Sequence, residues 1–230
     1  MRKPNYSVER GLLRDGIGPV AGVDEVGRGP LAGPVAVAAV ILDPSDLPAG
    51  VDDSKALSAP RREQLFEIIL MKAASVSLAF ASVEEIDALN IRGATLAAMA
   101  RAVNGLALRP AFALVDGRDE PPGCGCSARA IIGGDASCLS IAAASIVAKV
   151  ARDRMMIRLD AHYPDYGFAQ HVGYATKGHV AAIERCGLSP FHRLSFRRRR
   201  EAGRASSPLA GEDVARSATD EGWSSEARRR

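Results

Sequence analysis

The spacing of apolar positions changes several times along this chain, and each change predicts an element. Residues 20–25 form a short apolar run that ends in two acids, Asp24 and Glu25, and residues 35–42 form a longer, β-branched run; both predict strands. Between them Gly27-Arg28-Gly29-Pro30-Leu31-Ala32-Gly33-Pro34 can only be a turn. Ser58-Ala59-Pro60 opens a helix, with Leu65, Phe66, Ile69 and Leu70 at helical spacing, and residues 75–81 alternate as a strand. Ser82-Val83-Glu84-Glu85 has the pattern of a capping box ahead of a short helix, and residues 94–106 predict another. Residues 111–116 and 129–132 are further apolar runs, the first ending at Asp116. Residues 137–159 predict a long helix, and a last one over 176–185 stops at Gly187 with Pro190 beyond. Strands first and alternating elements later predict an α/β fold, a mixed central β-sheet flanked by helices.

Composition bounds the fold without redirecting it. The 230 residues are 47% apolar and 25% charged, which favours one main globular domain over a disordered chain. No apolar run reaches the roughly 20 residues of a membrane helix, and the first residues lack a signal-peptide core, so a cytoplasmic protein without a membrane partner is expected. The net charge of +3 resides in residues 197–230, where nine Arg face six acids; residues 1–196 carry 21 basic and 21 acidic side chains. Any affinity for a polyanion must therefore come from a local patch. Residues 197–230 are expected to form a flexible Arg-rich tail and residues 1–17 an N-terminal extension, leaving 18–196 as the catalytic domain with its C-terminal helical segment. Cys124, Cys126, Cys138 and Cys186 fit neither a disulfide framework nor a zinc site and are expected as free thiols.

The chemistry lies at strand ends. Asp24, Glu25 and Asp116 each end an apolar run, where α/β sheets present functional groups, and Asp135 follows Gly133-Gly134 after the next one. Carboxylates brought together repel unless a cation neutralises them or one is protonated. Oxygen ligands without His or Cys suit Mg²⁺ or Mn²⁺ rather than zinc. Adjacent strand residues point to opposite faces, so Asp24 and Glu25 are expected to share a site only if the chain bends immediately after Asp24. A dinucleotide-binding reading of the glycine loop fails on its G-x-G-x-x-x-G spacing and on the strand, not helix, that follows.

Residues 23–35, Val-Asp-Glu-Val-Gly-Arg-Gly-Pro-Leu-Ala-Gly-Pro-Val, closely resemble the signature of the type 2 ribonucleases H, the bacterial ribonuclease HII family. Asp53-Ser54-Lys55, Asn90-Ile91, Val115-Asp116-Gly117, Gly134-Asp135, the 143–154 helix segment, Tyr163-Pro164 and His192-Arg193 follow in the family's order, so the resemblance covers about residues 18–196. It implies an RNase H-like fold in a monomer. The implied activity is hydrolysis of RNA in RNA–DNA hybrids and at ribonucleotides embedded in duplex DNA, leaving 3′-hydroxyl and 5′-phosphate ends. It also implies metal-assisted attack of water, two Mg²⁺ or Mn²⁺ ions being held by Asp24, Glu25, Asp116 and Asp135. Gly27, Arg28, Gly29 and Tyr174 become the readers of the ribose 2′-hydroxyl, with Lys55, Asn90 and Lys149 completing the substrate-binding set. A related nuclease acting on DNA strands and a hybrid-binding module without catalysis remain the alternatives. Asp153, within Arg152-Asp153-Arg154, is expected to pair with an arginine.

One position departs from the family: His171-Val172-Gly173-Tyr174 stands where His-Lys-Gly-Tyr is usual. Loss of one phosphate contact predicts a shallower fall of hybrid affinity with salt than in a relative that keeps the lysine, by about one unit of log–log slope. Binding isotherms across a salt series check this, and an equal or steeper slope would contradict it.

Overall fold

The computed structural model describes residues 3–196; the expected tail lies outside the described residues. Five strands, β1 (Val20–Val26), β2 (Val35–Leu42), β3 (Ala73–Ala81), β4 (Phe112–Asp116) and β5 (Ser127–Ile131), form one mixed sheet in the order β3-β2-β1-β4-β5. The first three pair antiparallel, whereas β4 and β5 run parallel to β1. Six helices accompany them among the described residues: α1 (Ser7–Arg14), α2 (Ala59–Lys72), α3 (Val83–Asn104), α4 (Leu139–His162), α5 (Phe168–His171) and α6 (Lys177–Cys186).

The sheet is covered on both sides, which is why β2 is buried along all eight residues. On one face Val23, Val37, Ile41 and Val115 meet Ile86, Ala98, Met99 and Val103 of α3. On the other, Val40 and Leu42 meet Leu65 and Ile69 of α2 and Ala143, Ile146 and Val147 of α4. The alternation along β1 therefore sends Ala21 and Val23 towards α3, and Gly22 and Asp24 towards α4. Small residues bring α4 unusually close: a Cβ on Gly22 would lie 2.1 Å from the backbone carbon of Ser140. That contact fixes where α4 starts relative to β1, and hence what stands beside Asp24.

Local signals set several boundaries. Ser82 Oγ accepts from the Glu85 N–H at 3.2 Å while Glu85 accepts from the Ser82 N–H at 2.9 Å, completing the capping box. The two helices expected after it are both present, meeting at Asn90, whose non-helical φ of 60° and ψ of 168° divide α3 into a short first part and a longer second one. Thr176 caps α6, and Gly187 at φ 79° ends it. Helix α1 lies within the stretch read as an N-terminal extension. It docks on the start of α4, where fully buried Glu9 accepts from the Ser140 N–H at 2.9 Å and its hydroxyl at 2.7 Å.

Two substitutions check this packing. G22A forces backbone against backbone and is expected to lower stability by about 3 kcal/mol, on the order of 10 °C in Tm. G11A, inside α1 with open space around its Cβ, is expected to raise stability by about 0.5–1 kcal/mol. Thermal and urea denaturation measure both, and the opposite sign in either would contradict the packing.

Candidate active site

The site forms where β1 and β4 reach their C-terminal ends. Their parallel pairing runs to Val23↔Val115, so the next residues on the two strands are Asp24 and Asp116. Both have the parity of the α4 face. Glu25 pairs with Val37 and therefore projects from the α3 face. The chain turns at Gly27, φ 95°, within the Val26-Gly27 pair whose sequence permits a bend, and not directly after Asp24: β1 keeps its ladder with β2 through Val26↔Ala36. The two acids reach the same sheet edge from opposite faces instead.

Asp24 is only 5% exposed. Burial, with the charges of Glu25 and Asp116, pushes its carboxyl well above the usual range, against the Ser145 hydroxyl and the Glu25 N–H, which favour the ionised form. Burial also raises Glu25, opposed by Arg28 and reinforced by Asp116, and raises Asp135 together with Asp116 and Asp53. Lys55 registers the same field. Burial would lower it, yet Asp135, Asp53, Asp24 and Asp116 hold it above the ordinary lysine value. The structure thus brings Asp24, Glu25, Asp116, Asp135 and Lys55 into one electrostatic neighbourhood.

Each acid is also engaged locally. Asp24 accepts from the Glu25 N–H at 2.7 Å, Glu25 from Arg28 at 3.2 Å, and Asp116 from the Gly134 N–H at 2.7 Å. In this arrangement no three His, Cys, Asp or Glu side chains among the described residues converge into a ready-made metal cage. The donor set nonetheless fits a hard divalent cation. It is all oxygen, it places mutually repelling carboxylates beside one another, and one of them is buried where a bound charge would relieve its desolvation.

The glycine loop sits beside the acids and is held from behind. Arg193, 2% exposed, donates to the carbonyls of Gly27 at 2.6 Å, Arg28 at 2.9 Å and Gly33 at 2.7 Å. Arg152, 1% exposed, donates to those of Pro34, Ala32 and Val172. Gly27 leaves no room for a side chain, because its Cβ would meet Arg152 Nε at 2.1 Å. With its carbonyls drawn inward, the loop can turn amide N–H groups outward. Tyr174 lies against it, its ring 3.6 Å from a Cβ position on Gly29. The Leu31 N–H donates to the Gly173 carbonyl at 2.8 Å, lacing the two segments together.

Other expected site residues have local partners. Lys149 donates to Asp153 at 3.0 Å, so Asp153 pairs with this lysine one turn away rather than with an arginine. Asn90 uses its Oδ1 to accept from the Arg92 and Gly93 N–H groups, capping the second part of α3. Arg92 forks onto Asp119 at 2.7 and 2.9 Å beside a small cleft shared by Glu25, Arg28 and Asp116. Val172 adopts φ 43°, an uncommon conformation for a β-branched residue. Sequence reasoning missed Asp53, Ser145, Arg152 and Arg193 as parts of the site. All four lie in segments already singled out, but nothing in the local sequence marks the arginines as buried.

Comparison with known proteins agrees with this geometry. Residues 21–199 match the ribonuclease HII family. A ribonuclease HII from Brucella ovis is 59% identical over 194 residues, 84% of this chain and 88% of the relative. Among solved structures, ribonuclease H2 from Pyrococcus horikoshii superposes with a TM-score of 0.67 at 27% identity, covering 81% of this chain and 97% of that one. The RNase HII of a PCNA:RNase HII complex from Archaeoglobus fulgidus does so with a TM-score of 0.64 at 31% identity, covering 76% and 93%. On its sequence, its sheet and its acidic strand ends, the chain belongs to the ribonuclease HII family, endoribonucleases of RNA–DNA hybrids.

Proposed function

We propose that this protein cuts the phosphodiester at ribonucleotides in hybrids and in duplex DNA, in the cytoplasm, with Asp24, Glu25, Asp116 and Asp135 holding Mg²⁺ or Mn²⁺. The observation that carries the reading is the position of Asp24. It is buried, opposed by two neighbouring carboxylates, and three residues from a loop whose backbone is pinned against Tyr174. A divalent ion held there by these carboxylates would supply charge neutralisation and the activation of water for in-line attack at phosphorus.

The chain's own groups supply the rest. Gly27, Arg28 and Gly29 present backbone close to the ribose, and Tyr174 packs on Gly29, so that a 2′-hydroxyl can be told from a hydrogen. Lys55, kept cationic by the surrounding acids, balances their charge and meets a phosphate. Arg28, half exposed and paired with Glu25 at 3.2 Å, stands at the acids, where its guanidinium can meet the substrate backbone.

Incubation with a duplex containing one ribonucleotide, with and without Mg²⁺ or Mn²⁺, tests the reading. Metal-dependent cutting at the ribonucleotide is expected, with none on the all-DNA duplex; cutting of all-DNA duplex or metal-independent cutting would overturn it. D24N and D116N are each expected to reduce turnover at least 1,000-fold, on the scale of losing an essential electrostatic group, and an active variant would leave the essential set. D24N also has a sign for stability. The Asp24 carboxyl is held up in the fold, so at neutral pH its ionised form is less favourable there than in the unfolded chain. Removing that charge should raise the Tm of the metal-free protein, and a fall would contradict the assigned strain.

A further inference from the structure

Three of the chain's four histidines meet behind Tyr174, in a cluster separate from the acids. His179 is fully buried and His192 is 4% exposed; their Nε2 atoms are 3.0 Å apart. The outer end of each ring meets a backbone group with a fixed role, and the Ser189 hydroxyl, 2.8 Å from His192 Nδ1, joins the Ser189 N–H as a donor to that nitrogen. The Ser189 N–H, which can only donate, reaches His192 Nδ1 at 2.9 Å, and the Tyr174 carbonyl, which can only accept, lies 2.8 Å from His179 Nδ1. One proton arrangement satisfies the whole row. His192 accepts at Nδ1 and donates from Nε2; His179 accepts at Nε2 and donates from Nδ1 to the Tyr174 carbonyl. Both rings are neutral in it, and burial does push His179 down to about 4 and lowers His192.

His171 secures the other side of the same turn. Its ring stacks on His179 with centroids 4.3 Å apart and accepts at Nδ1 from the Gly173 N–H at 3.2 Å, while Nε2 faces the Tyr166 carbonyl at 2.7 Å. The Tyr174 N–H donates to the His171 carbonyl at 2.8 Å. The Tyr174 N–H is therefore held by the His171 backbone, and the Tyr174 carbonyl by the His179 ring together with the Thr176 N–H at 2.8 Å. Phe168, fully buried and edge-on to His171 and His179, keeps the rings in place. The ring nitrogens are all occupied by these bonds, which leaves none to ligate a metal.

We propose that His179 and His192 are positioning residues: their directional hydrogen-bond row fixes the Tyr174 backbone, and thereby the ring, against Gly29 for recognition of the ribose 2′-hydroxyl. This rests on the reading of Tyr174 as a substrate contact. The row commits its donors and acceptors to one direction, so an apolar side chain of similar size can fill the space without holding the carbonyl, whereas an amide can do both.

A double-mutant cycle on the full chain tests it, with kcat and KM measured on a duplex bearing one ribonucleotide. H179L is expected to lower kcat/KM about tenfold, the size of one lost hydrogen bond, and H179Q, which can still accept and donate, to recover most of it. In a Y174A background H179L should change kcat/KM less than about twofold, because the side chain it positions is gone. Equal losses in both backgrounds, or a wild-type rate in H179L when Y174A is impaired, would overturn the positioning role while leaving Tyr174 as a contact. A wild-type rate in Y174A would overturn the contact and the inference together. If H179L does not fold, H192F keeps an aromatic ring there, slightly larger and without the nitrogens that complete the row, and carries the same expectation and refutation.

Discussion

Repulsion between carboxylates at one sheet edge is the constraint around which this molecule is organised. Asp24 and Asp116 follow the last paired residues of two parallel strands, and Asp24 is buried, so its charge is disfavoured by desolvation and by its neighbours together. Every local contact at the edge softens that cost. The Glu25 N–H and Ser145 stabilise Asp24, Arg28 holds Glu25, the Gly134 N–H holds Asp116, and Lys55 stands within the field of four acids. A fold selected for stability alone would place apolar residues here; retaining the acids makes sense where a divalent cation completes the charge balance.

The frame that keeps the acids in place is apolar, and the frame that holds the glycine loop is largely polar. Backbone contact at Gly22 seats α4 against β1, and this puts Ser145 beside Asp24. The glycine loop is anchored on apolar residues only through Ala32, which packs in one cluster with Met156 and Phe168. Two buried arginines gather its carbonyls, with no carboxylate among their hydrogen-bond partners in the described residues, and the segments at 172–174 and 189–193 close over it. Guanidinium forks suit this task, since each can address several carbonyls in a plane. The cost of burying two cations is the counterpart of the cost of burying Asp24.

Much of this was legible in the sequence, for physical reasons that differ by element. Strands β1, β2 and β4 announce themselves because their apolar runs stop at acids or glycines, and the α3 capping box is written in four consecutive residues. The acidic strand ends were legible for the same reason. Pairings that depend on distant segments were not. Glu9 reads as an exposed helix residue until Ser140 is brought to it, and His171, His179 and His192 meet only once α5, α6 and the last loop have packed. The Lys149–Asp153 pair was readable from its i,i+4 spacing, and the error was to give Asp153 a neighbouring arginine. The supposed need for a bend after Asp24 failed because the C-terminal edge of a sheet is open to both faces.

The central claim is that the acids at the ends of β1 and β4 bind divalent ions. Anomalous scattering from crystals of the full chain grown with Mn²⁺ addresses it most directly. The account predicts a Mn²⁺ peak within ligand distance of the Asp24 and Asp116 carboxylates, absent from crystals of the D116N variant. An ordered ion that touches neither carboxylate, or one undisturbed by that substitution, would contradict it.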